Sequence, residues 1–255
     1  MRFWGANLSV ASGLRLGVLA LMLGLSACAS LPEGHQADAR DPWERYNRAM
    51  FSFNTEVDDA VLRPVAKGYR DVVPEPLRDA ISNFIGNLSD MITTIHHLLQ
   101  GEAGKAGNAA ARVFINSTVG ILGLGDPASS VGYGKTKEDF GQTFGRWGAG
   151  PGPYFVIPLL GPSTVRDTAG TAFDFAADPF NLVFQVGSAT EMGFQITRLV
   201  DRRASLLDGE STLDALSFDR YVSVRDAYLA RRNQQISNGD VPAQSQDPVN
   251  GDSPK

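Results

Sequence analysis

The longest patterned segment of the chain, from Glu75 to Gln100, constrains the fold most strongly. Polar side chains such as Asn87 and Asp90 interrupt its apolar face, so the segment is not a simple lipid-exposed span. As one helix it would be about 40 Å long, at about 1.5 Å per residue. The apolar side chains recur at three- and four-residue steps, as on one face of an α-helix: Leu77, Ile81, Phe84, Ile85, Leu88, Met91, Ile92, Ile95, Leu98 and Leu99.

A second helix is predicted near the start of the folded part of the chain. Asp41 is expected to be its N-cap, with Pro42 at the first helical position. Arg63-Pro64 is expected to end or kink it, because proline lacks the amide donor that an interior helical position requires. The helix carries an aromatic face at the same repeat: Trp43, Tyr46, Met50, Phe53, Val57 and Val61.

Helical spacing also marks the rest of the chain. Glycines at 120, 123 and 125 interrupt it, and Asp126-Pro127 is expected to start a turn. No segment shows the alternation of a strand, so the expectation is an all-α fold. The polar residues 234–255 are predicted to form a disordered tail. Helices are predicted from about Lys105 to Leu122, from an Asp167 cap to about Ala177, from about Asn181 to Leu207 and from Leu213 to Asn233.

Residues 132–166 form a long segment rich in glycine and proline. Long loops inside a compact domain are uncommon and are often functional. Within it, the apolar run Tyr154–Leu160 is cut by Pro158 and bracketed by further prolines, which suit neither a helix interior nor a central strand. Two interpretations follow from the residues alone: the run packs in a soluble helical core, or it lines or gates a path through a lipid-embedded protein.

The N-terminus has the features of a bacterial lipoprotein signal. Arg2 and Arg15 are the only charged residues before Cys28, and the apolar stretch LGVLALMLGL is too short to be a stable membrane span. It leads into LSAC, a lipobox in which Cys28 accepts the acyl groups. We therefore expect a signal peptide at 1–27 and a lipidated tether at 28–40, and Ala29 favours the outer membrane. The alternative is an ordinary cleaved signal with an incidental cysteine.

Composition excludes several classes of function. A formal net charge of −5 without a basic patch makes a nucleic-acid partner unexpected. One cysteine excludes an internal disulfide and cysteine-rich zinc sites, and with three histidines we expect neither a metal site nor a cofactor. No G-x-S-x-G motif occurs, and no histidine follows Ser163, so an enzyme is not expected. Asp201-Arg202-Arg203 is either a solvated helix face or a contact for phosphate headgroups or an acidic partner.

Four blocks of sequence together resemble one known family. They are residues 41–54 (DPWERYNRAMFSFN), 63–74 (RPVAKGYRDVVP), 82–88 (SNFIGNL) and 140–167 (FGQTFGRWGAGPGPYFVIPLLGPSTVRD). They occur in order, and they resemble the MlaA family, also called VacJ lipoproteins. The resemblance runs from about residue 41 to 232, so the sequence predicts an MlaA-like helical domain at 41–233.

This resemblance implies a fold, a location and partners. MlaA proteins are ring-like helical lipoproteins embedded in the inner leaflet of the outer membrane of Gram-negative bacteria, with a central amphipathic channel. They associate with a porin trimer in that membrane. They take phospholipids misplaced in the outer leaflet and pass them to a soluble periplasmic carrier, MlaC, which maintains lipid asymmetry. No covalent chemistry takes place in this component.

The resemblance also suggests site residues, block by block. Phe53 and Asn54 are expected to help hold the channel closed. The residues of the channel and its opening are expected to include Phe51, Phe53, Asn54, Phe140, Gly141, Trp147, Pro151, Pro153, Tyr154, Pro158 and Arg166. The residues that face the carrier are expected to be Tyr221, Arg225, Tyr228 and Arg231.

Two other classes of function remain open at this point. A structural envelope lipoprotein that scaffolds porins would bind a porin without transferring lipid. A lipid hydrolase would depend on a nucleophile such as Ser163, which the shortage of histidines argues against.

Overall fold

The computed structural model describes residues 38–178, 180, 188–209 and 219–237. The predicted signal peptide, Cys28, most of the tether and residues 238–255 of the predicted tail lie outside the described residues. In chain order the described elements are α1 (Glu44–Val57), a π-helical turn (Asp58–Leu62), α2 (Arg63–Val72), α3 (Glu75–Leu99), α4 (Ala103–Thr118), α5 (Pro127–Ser130), α6 (Phe140–Arg146), β1 (Tyr154–Ile157), β2 (Gly161–Thr164), α7 (Val165–Ala176), α8 (Ser188–Ser205) and α9 (Arg220–Ser237).

The first helical segment continues past the proline that was expected to end or kink it. The π-helical turn joins α1 to α2, and Pro64 occupies the second position of α2. Proline has no amide to donate to the preceding turn, and a wider π turn accommodates that loss. The predicted cap is wrong, because Trp43 precedes α1 and Asp41 is buried instead. The Asp41 carboxylate accepts hydrogen bonds from Asn47, at 2.7 Å, and from the Tyr221 hydroxyl.

The long apolar helix forms as predicted, and α4 packs along it. Gly101 (φ 77°) ends α3 in the left-handed conformation that glycine adopts freely. Between the two helices lies Arg112 of α4, which is 1% exposed. Its guanidinium donates to Asp90 of α3 at 2.9 Å and to Asp126 at 3.1 Å. The contact between these helices therefore has a charged centre.

The Gly/Pro-rich segment contains regular structure that sequence analysis missed. β1 and β2 form an antiparallel hairpin in which Tyr154 pairs with Thr164 and Ile157 with Gly161. The expectation of no strand was therefore wrong here. Pro158 lies in the turn, and Pro162 is tolerated because a two-stranded sheet has free edges. Tyr154 and Val156 are buried while Phe155 and Ile157 are half-buried, so burial alternates although every residue is apolar.

Three elements share the main apolar cluster of the described residues. Met50 of α1, Tyr154 and Val156 of the hairpin and Tyr221 of α9 pack together, with Phe51 against them. The hairpin is thus held between the first and last described helices.

Three helix boundaries differ from prediction. The helix predicted to reach about Leu122 ends at Thr118. Thr164, not Asp167, caps α7, and its hydroxyl accepts the Asp167 amide at 3.2 Å. The last helix extends past the predicted end at Asn233 to Ser237, inside the predicted tail. In the described part of the chain, no helix is both long and apolar enough to cross a membrane.

Candidate functional site

Two asparagines of α1 hold the hairpin. Asn47 donates to the Tyr154 carbonyl at 3.1 Å and accepts the Val156 amide at 2.8 Å, along the edge of β1. Asn54 donates to the Ile157 carbonyl at 3.0 Å and accepts the Leu159 amide at 2.7 Å, at the turn. Each side-chain amide gives the hairpin one N–H donor and one carbonyl acceptor, as a backbone peptide would. The two residues therefore act as a substitute for a neighbouring strand.

Sequence analysis identified Asn54 but missed Asn47. The two are seven residues apart, which places them on one face of α1 two turns apart. That spacing was the available signal. Asn47 is 0% exposed and also binds the buried Asp41, so it connects the hairpin to the interior.

Phe51 and Tyr154, also predicted near the opening, pack in the cluster at the hairpin. Phe51 makes an edge-to-face contact with Tyr221 at 5.7 Å between ring centroids, and Phe53 is half-buried. Tyr154 is fully buried, and its hydroxyl has no hydrogen-bond partner among the described residues. The structure therefore brings Phe51, Asn54, Tyr154 and Pro158 to one place.

A second group joins α9 to α6 and α7. The Arg232 guanidinium donates to both carboxylate oxygens of Asp139, at 2.7 and 2.9 Å. It also donates to both oxygens of Asp167, at 2.9 and 3.1 Å. Burial alone would raise the pKa of each carboxyl group, but the hydrogen bonds and charge of Arg232 lower both. Sequence analysis missed Arg232, because an arginine on a polar helix gives no pattern signal.

Gly141 has a packing role at this group. A Cβ atom there would lie 2.5 Å from the Arg232 guanidinium and 2.6 Å from the Asp167 carboxylate. Arg166, another predicted site residue, donates to Asp167 at 2.9 Å and to the Ala149 carbonyl at 3.3 Å. These residues hold the Gly/Pro-rich segment against α7.

Aromatic residues of α6 and its end form a further cluster. Phe140 packs against Phe173 of α7 at 5.6 Å between ring centroids. The Trp147 indole donates to the Leu99 carbonyl at 3.0 Å, which links the end of α6 to the end of α3. Pro151 and Pro153 follow before β1, with Gly152 between them in the left-handed conformation (φ 66°) and Pro151 exposed. The predicted channel residues thus fall into neighbouring groups joined by the hairpin and α7.

The four residues predicted to face the carrier differ in their burial and in their contacts. Tyr221 and Arg225 are buried, and Arg225 donates to Asp38 at 3.0 Å and to Asp41 at 3.4 Å. Tyr228 is half-buried and donates to Asp167 at 2.8 Å, whereas Arg231 is exposed. The first three face the protein and fix α9 in place. Contact with a carrier stays a prediction, and Arg231 is the one of the four whose position suits it.

The second half of α3, from Gly86 onward, buries mostly polar side chains and exposes apolar ones, and Leu77 is exposed in the first half. Its buried side chains include Asn87, Asp90, Thr93, His96 and His97, while its apolar Leu77, Ile95, Leu98 and Leu99 are exposed. Large exposed apolar side chains occur on several other described elements, namely Val61, Val65, Val72, Phe114, Phe173, Phe175, Met192, Ile196 and Leu199. Exposed large apolar side chains in such number are typical of a surface that binds a membrane or a protein.

The loop after α4 carries two of the most exposed of these apolar side chains. Ile121 and Leu122 are 71% and 73% exposed. Their φ angles of 54° and 57° lie in the left-handed region, where a β-branched residue is an outlier. Such strain is retained where other requirements fix the residue, often at functional sites.

The described residues offer little for catalysis. They contain no group of His, Cys, Asp and Glu side chains that could hold a metal ion. The Ser163 hydroxyl is buried and contacts the Thr168 hydroxyl at 2.9 Å and the Thr164 carbonyl at 3.2 Å, so histidine is not among its partners. Burial lowers the pKa of His96 and His97, which favours their neutral forms.

Comparison with known proteins identifies the family. A family model described as MlaA lipoprotein matches residues 39–235. "Intermembrane phospholipid transport system lipoprotein MlaA" of Escherichia coli (strain K12) is 35% identical over 233 residues, which are 89% of this chain and 90% of that protein. The protein of the same name from Haemophilus influenzae is 31% identical over 228 residues, 88% of this chain and 90% of that protein.

A solved structure agrees with these relatives. It is described as "Structural basis for maintenance of bacterial outer membrane lipid asymmetry", and it matches with a TM-score of 0.66 and 34% sequence identity. The match covers 77% of this chain and 98% of the solved chain. These similarities show that the chain belongs to the MlaA lipoprotein family.

Proposed function

We propose that this lipoprotein removes phospholipids misplaced in the outer leaflet of the outer membrane and hands them to a soluble periplasmic carrier. The proposal is supported by the relatives in Escherichia coli and Haemophilus influenzae, which are named as lipoproteins of an intermembrane phospholipid transport system. The similar solved structure concerns outer-membrane lipid asymmetry. Phospholipid is then the cargo, and this component makes and breaks no covalent bond.

One observation of the chain itself carries the proposal: α3 buries polar side chains and exposes apolar ones. Removing a large apolar side chain from water contributes about 1.5–3 kcal/mol. Acyl chains would solvate the exposed apolar residues, and an acyl-modified Cys28 would hold the protein at the membrane. A protein with polar groups inside and lipid outside can offer a headgroup a wet path while its acyl chains stay dry.

The proposal includes a channel and its opening. In the proposal, the helices form a ring in the inner leaflet, and the Gly/Pro-rich segment contributes to the wall of an amphipathic channel. Asn54 binds the hairpin turn, so α1 controls where that turn lies. Loosening this contact would favour an open channel. A porin trimer would be the lateral partner in the membrane, and a carrier on the periplasmic side would remove the lipid and set the direction.

The proposal is tested by outer-leaflet phospholipid in cells that lack the gene, measured by accessibility to added phospholipase. We expect a rise that the wild-type gene reverses and that a Cys28→Ala variant does not. We expect a variant that lacks Phe53 and Asn54 to alter outer-leaflet phospholipid as well. A protein that copurifies with a porin while its loss leaves outer-leaflet phospholipid unchanged would instead be a structural scaffold.

A further inference from the structure

A cavity of about 120 Å³ lies where the segment before α1, the loop before β1, the hairpin, α7 and α9 meet. Its floor contains three buried side chains, Thr164, Arg166 and Arg232. Its mouth is open to water, since Arg40 and Asn233 also line it and both are exposed. We call it the arginine cavity.

The two arginines of the floor are held close together. Arg166 and Arg232 each donate to the same atom, Asp167 Oδ1, at 2.9 Å. Two glycines of α6 leave room for them. A Cβ atom at Gly141 would lie 2.5 Å from the Arg232 guanidinium, and one at Gly145 would lie 3.1 Å from that of Arg166. The two guanidinium groups are therefore within two hydrogen-bond lengths of each other, in positions that packing fixes.

The carboxylates bound to these arginines lie outside the cavity wall. Asp167 and Asp139 bind the floor arginines, and Asp38 and Asp226 bind Arg40 at 2.6 and 2.9 Å. Among the described residues that line the cavity there is no aspartate or glutamate. The charges of the whole group nearly balance, so the cavity offers an anion a set of oriented donors that is in place before the ligand arrives.

Several donors of the wall are available to a ligand. A guanidinium carries five N–H groups. Arg166 donates one to Asp167 and one to the Ala149 carbonyl, and its Nη2 also lies 2.9 Å from the Asp167 carboxylate, so two are left among the described residues. The Thr164 hydroxyl accepts the Asp167 amide at 3.2 Å, which leaves its own O–H to donate. Asn233 adds a side-chain amide at the mouth, so the donors come from three elements.

We propose that the arginine cavity binds a phosphate group, carried either by a phosphate ester or by inorganic phosphate. Cavities of about 150 Å³ accept a ligand of six heavy atoms such as benzene. A cavity of about 120 Å³ therefore suits a phosphorus with its four oxygens and is too small for a whole lipid. Tetrahedral oxygens can meet donors from several elements at once, whereas a carboxylate offers two oxygens in one plane. Arginine binds phosphate oxygens through paired N–H groups.

The ligand has two possible sources that share this chemistry, a lipid headgroup and free phosphate. Leu229 is half-buried in the wall, and Pro151 is exposed at the mouth. These apolar residues would contact the glycerol of a headgroup, whereas free phosphate would use the donors alone. The inference goes beyond the proposed function, because binding of a phosphate group does not require transfer of lipid.

Asn233 allows a test that should leave the fold intact. Asn233→Asp keeps the shape of this exposed side chain and adds a negative charge to the wall that contains Arg40, Arg166 and Arg232. The matched control is Gln234→Glu, which adds the same charge at the next residue of α9, exposed and outside the lining. The measurement is the Tm of the full-length lipidated protein in non-ionic detergent, titrated with sodium phosphate at constant ionic strength in a buffer without sulfate.

We expect phosphate to raise the Tm of the wild type to a plateau, because a ligand that binds only the folded state stabilises it. Asn233→Asp should weaken phosphate binding by about tenfold or more, since like charges at a binding site repel. Without phosphate, its Tm should exceed that of the wild type, because the new carboxylate interacts with the arginines. Gln234→Glu should keep the wild-type affinity.

The outcomes separate the site, the source of its ligand and the proposed function. Phosphatidylglycerol added to the micelles should shift the phosphate titration of the wild type to higher concentration if the cavity takes a lipid headgroup, and should leave it unchanged if the cavity takes free phosphate. No saturable rise in the Tm of the wild type, or equal affinities in the wild type and Asn233→Asp, would overturn the proposal. Equal weakening in Gln234→Glu would also overturn it, because the added charge would then act from outside the cavity. Lipid transfer is judged separately, by outer-leaflet phospholipid in cells.

Discussion

Asn47 and Asn54 make the same pair of hydrogen bonds to the hairpin, but their burial differs. Asn47 is fully buried, whereas Asn54 is half-buried. Asn47→Ala leaves the Val156 amide and the Tyr154 carbonyl without partners in the interior, and an unsatisfied buried group costs about 1–3 kcal/mol. We therefore expect Asn47→Ala to lower the free energy of unfolding by about 3 kcal/mol and Asn54→Ala by about 1 kcal/mol.

The measurement is thermal unfolding of the full-length protein in detergent, followed by tryptophan fluorescence. Asn54→Ala is the matched comparison, because it removes the same chemical groups from the same helix face. Equal losses in the two variants would contradict the argument from burial. They would mean that the free energy lost in each variant comes from the broken contact with the hairpin and does not depend on how deeply the asparagine is buried.

Asp174 makes the stability of the folded protein depend on pH, and the direction of this dependence follows from its raised pKa. Burial raises that pKa from 3.8 to about 6, with a further rise from Asp139, while the Phe140 amide, Arg232 and Lys137 lower it. A raised pKa means that the folded state holds the proton more tightly. The stabilisation is fully present below pH 3.8 and is lost as the pH rises through about 6.

Asp174→Asn removes this loss, because the amide is neutral and its oxygen can still accept the Phe140 amide, now 3.1 Å from Asp174. Partial exposure to water reduces the gain, so we expect about 1 kcal/mol, or about 2–4 °C in Tm, at pH 7. The gain should vanish near pH 4. Melting curves of the two proteins across this range test it, and a gain that is independent of pH would contradict the role of ionisation.

Sequence analysis identified site residues that lie in recognisable sequence blocks. It missed residues whose role depends on hydrogen bonds to distant parts of the chain. Asn54 and Tyr154 stood out within blocks that resemble a family. Asn47 and Arg232 did not, because their importance comes from partners far along the chain, Val156 and Asp167 respectively. These partners become neighbours only in the folded chain, so a single sequence does not reveal them.

At the scale of elements, the helices were predictable and the hairpin was not. Leu88 and the other apolar positions of α3 repeat with helical spacing, which is readable from one sequence. Burial alternates along β1, but Tyr154, Phe155, Val156 and Ile157 are all apolar, so no alternation of residue type reveals it. Prolines on both sides then favoured a loop. The strand β1 forms because Asn47 and β2 provide hydrogen-bond partners for its backbone N–H and C=O groups.

Arg232 determines whether α9 stays docked on α6 and α7. Arg232→Gln leaves the half-buried Asp139 without its charged partner and the buried Asp167 with Arg166 alone, and breaking a buried ion pair costs about 3–5 kcal/mol. Arg232→Lys should lose part of this stabilisation, because lysine has no planar guanidinium with which to bind two carboxylates at once. We expect lower Tm in both variants and faster proteolysis within α9, read by mass spectrometry of the fragments.

The control for this prediction is the neighbouring residue. Arg231 is exposed and has no ion-pair partner among the described residues, so Arg231→Gln removes the same charge without breaking a pair. Its Tm should stay within about 2 °C of the wild type. A similar loss of stability in Arg231→Gln would show that net charge on α9, and not the contacts of Arg232, holds the helix.

For the whole molecule, the sequence predicts that helices have apolar faces but not which way those faces point. The stripe on α3 would fit a water-soluble core equally well. The structure turns Leu98 and Ile95 outward and buries Asp90 and His97. Helical periodicity is the same in both cases, because it records the separation of polar and apolar residues and not the solvent on either side.

The outward apolar surface predicts membrane binding that does not depend on the acyl anchor. In a form secreted with an ordinary cleavable signal in place of residues 1–28, Ile121 and Leu122 remain exposed on the loop after α4. Together they contribute about 3 kcal/mol or more if acyl chains cover them, which is about a hundredfold in the partition coefficient. We expect this form to float with phospholipid vesicles, and an Ile121→Asp/Leu122→Asp variant to bind about a hundredfold more weakly.

Two features make that experiment decisive. Aspartate tolerates the left-handed backbone better than isoleucine does, so the variant should fold as well as the parent. A Ser52→Asp/Ser130→Asp variant adds the same charge at exposed polar positions and should still float. If the loop variant floated as well as this control, the loop would lie outside the lipid, and its strain and exposure would need a protein partner as their explanation.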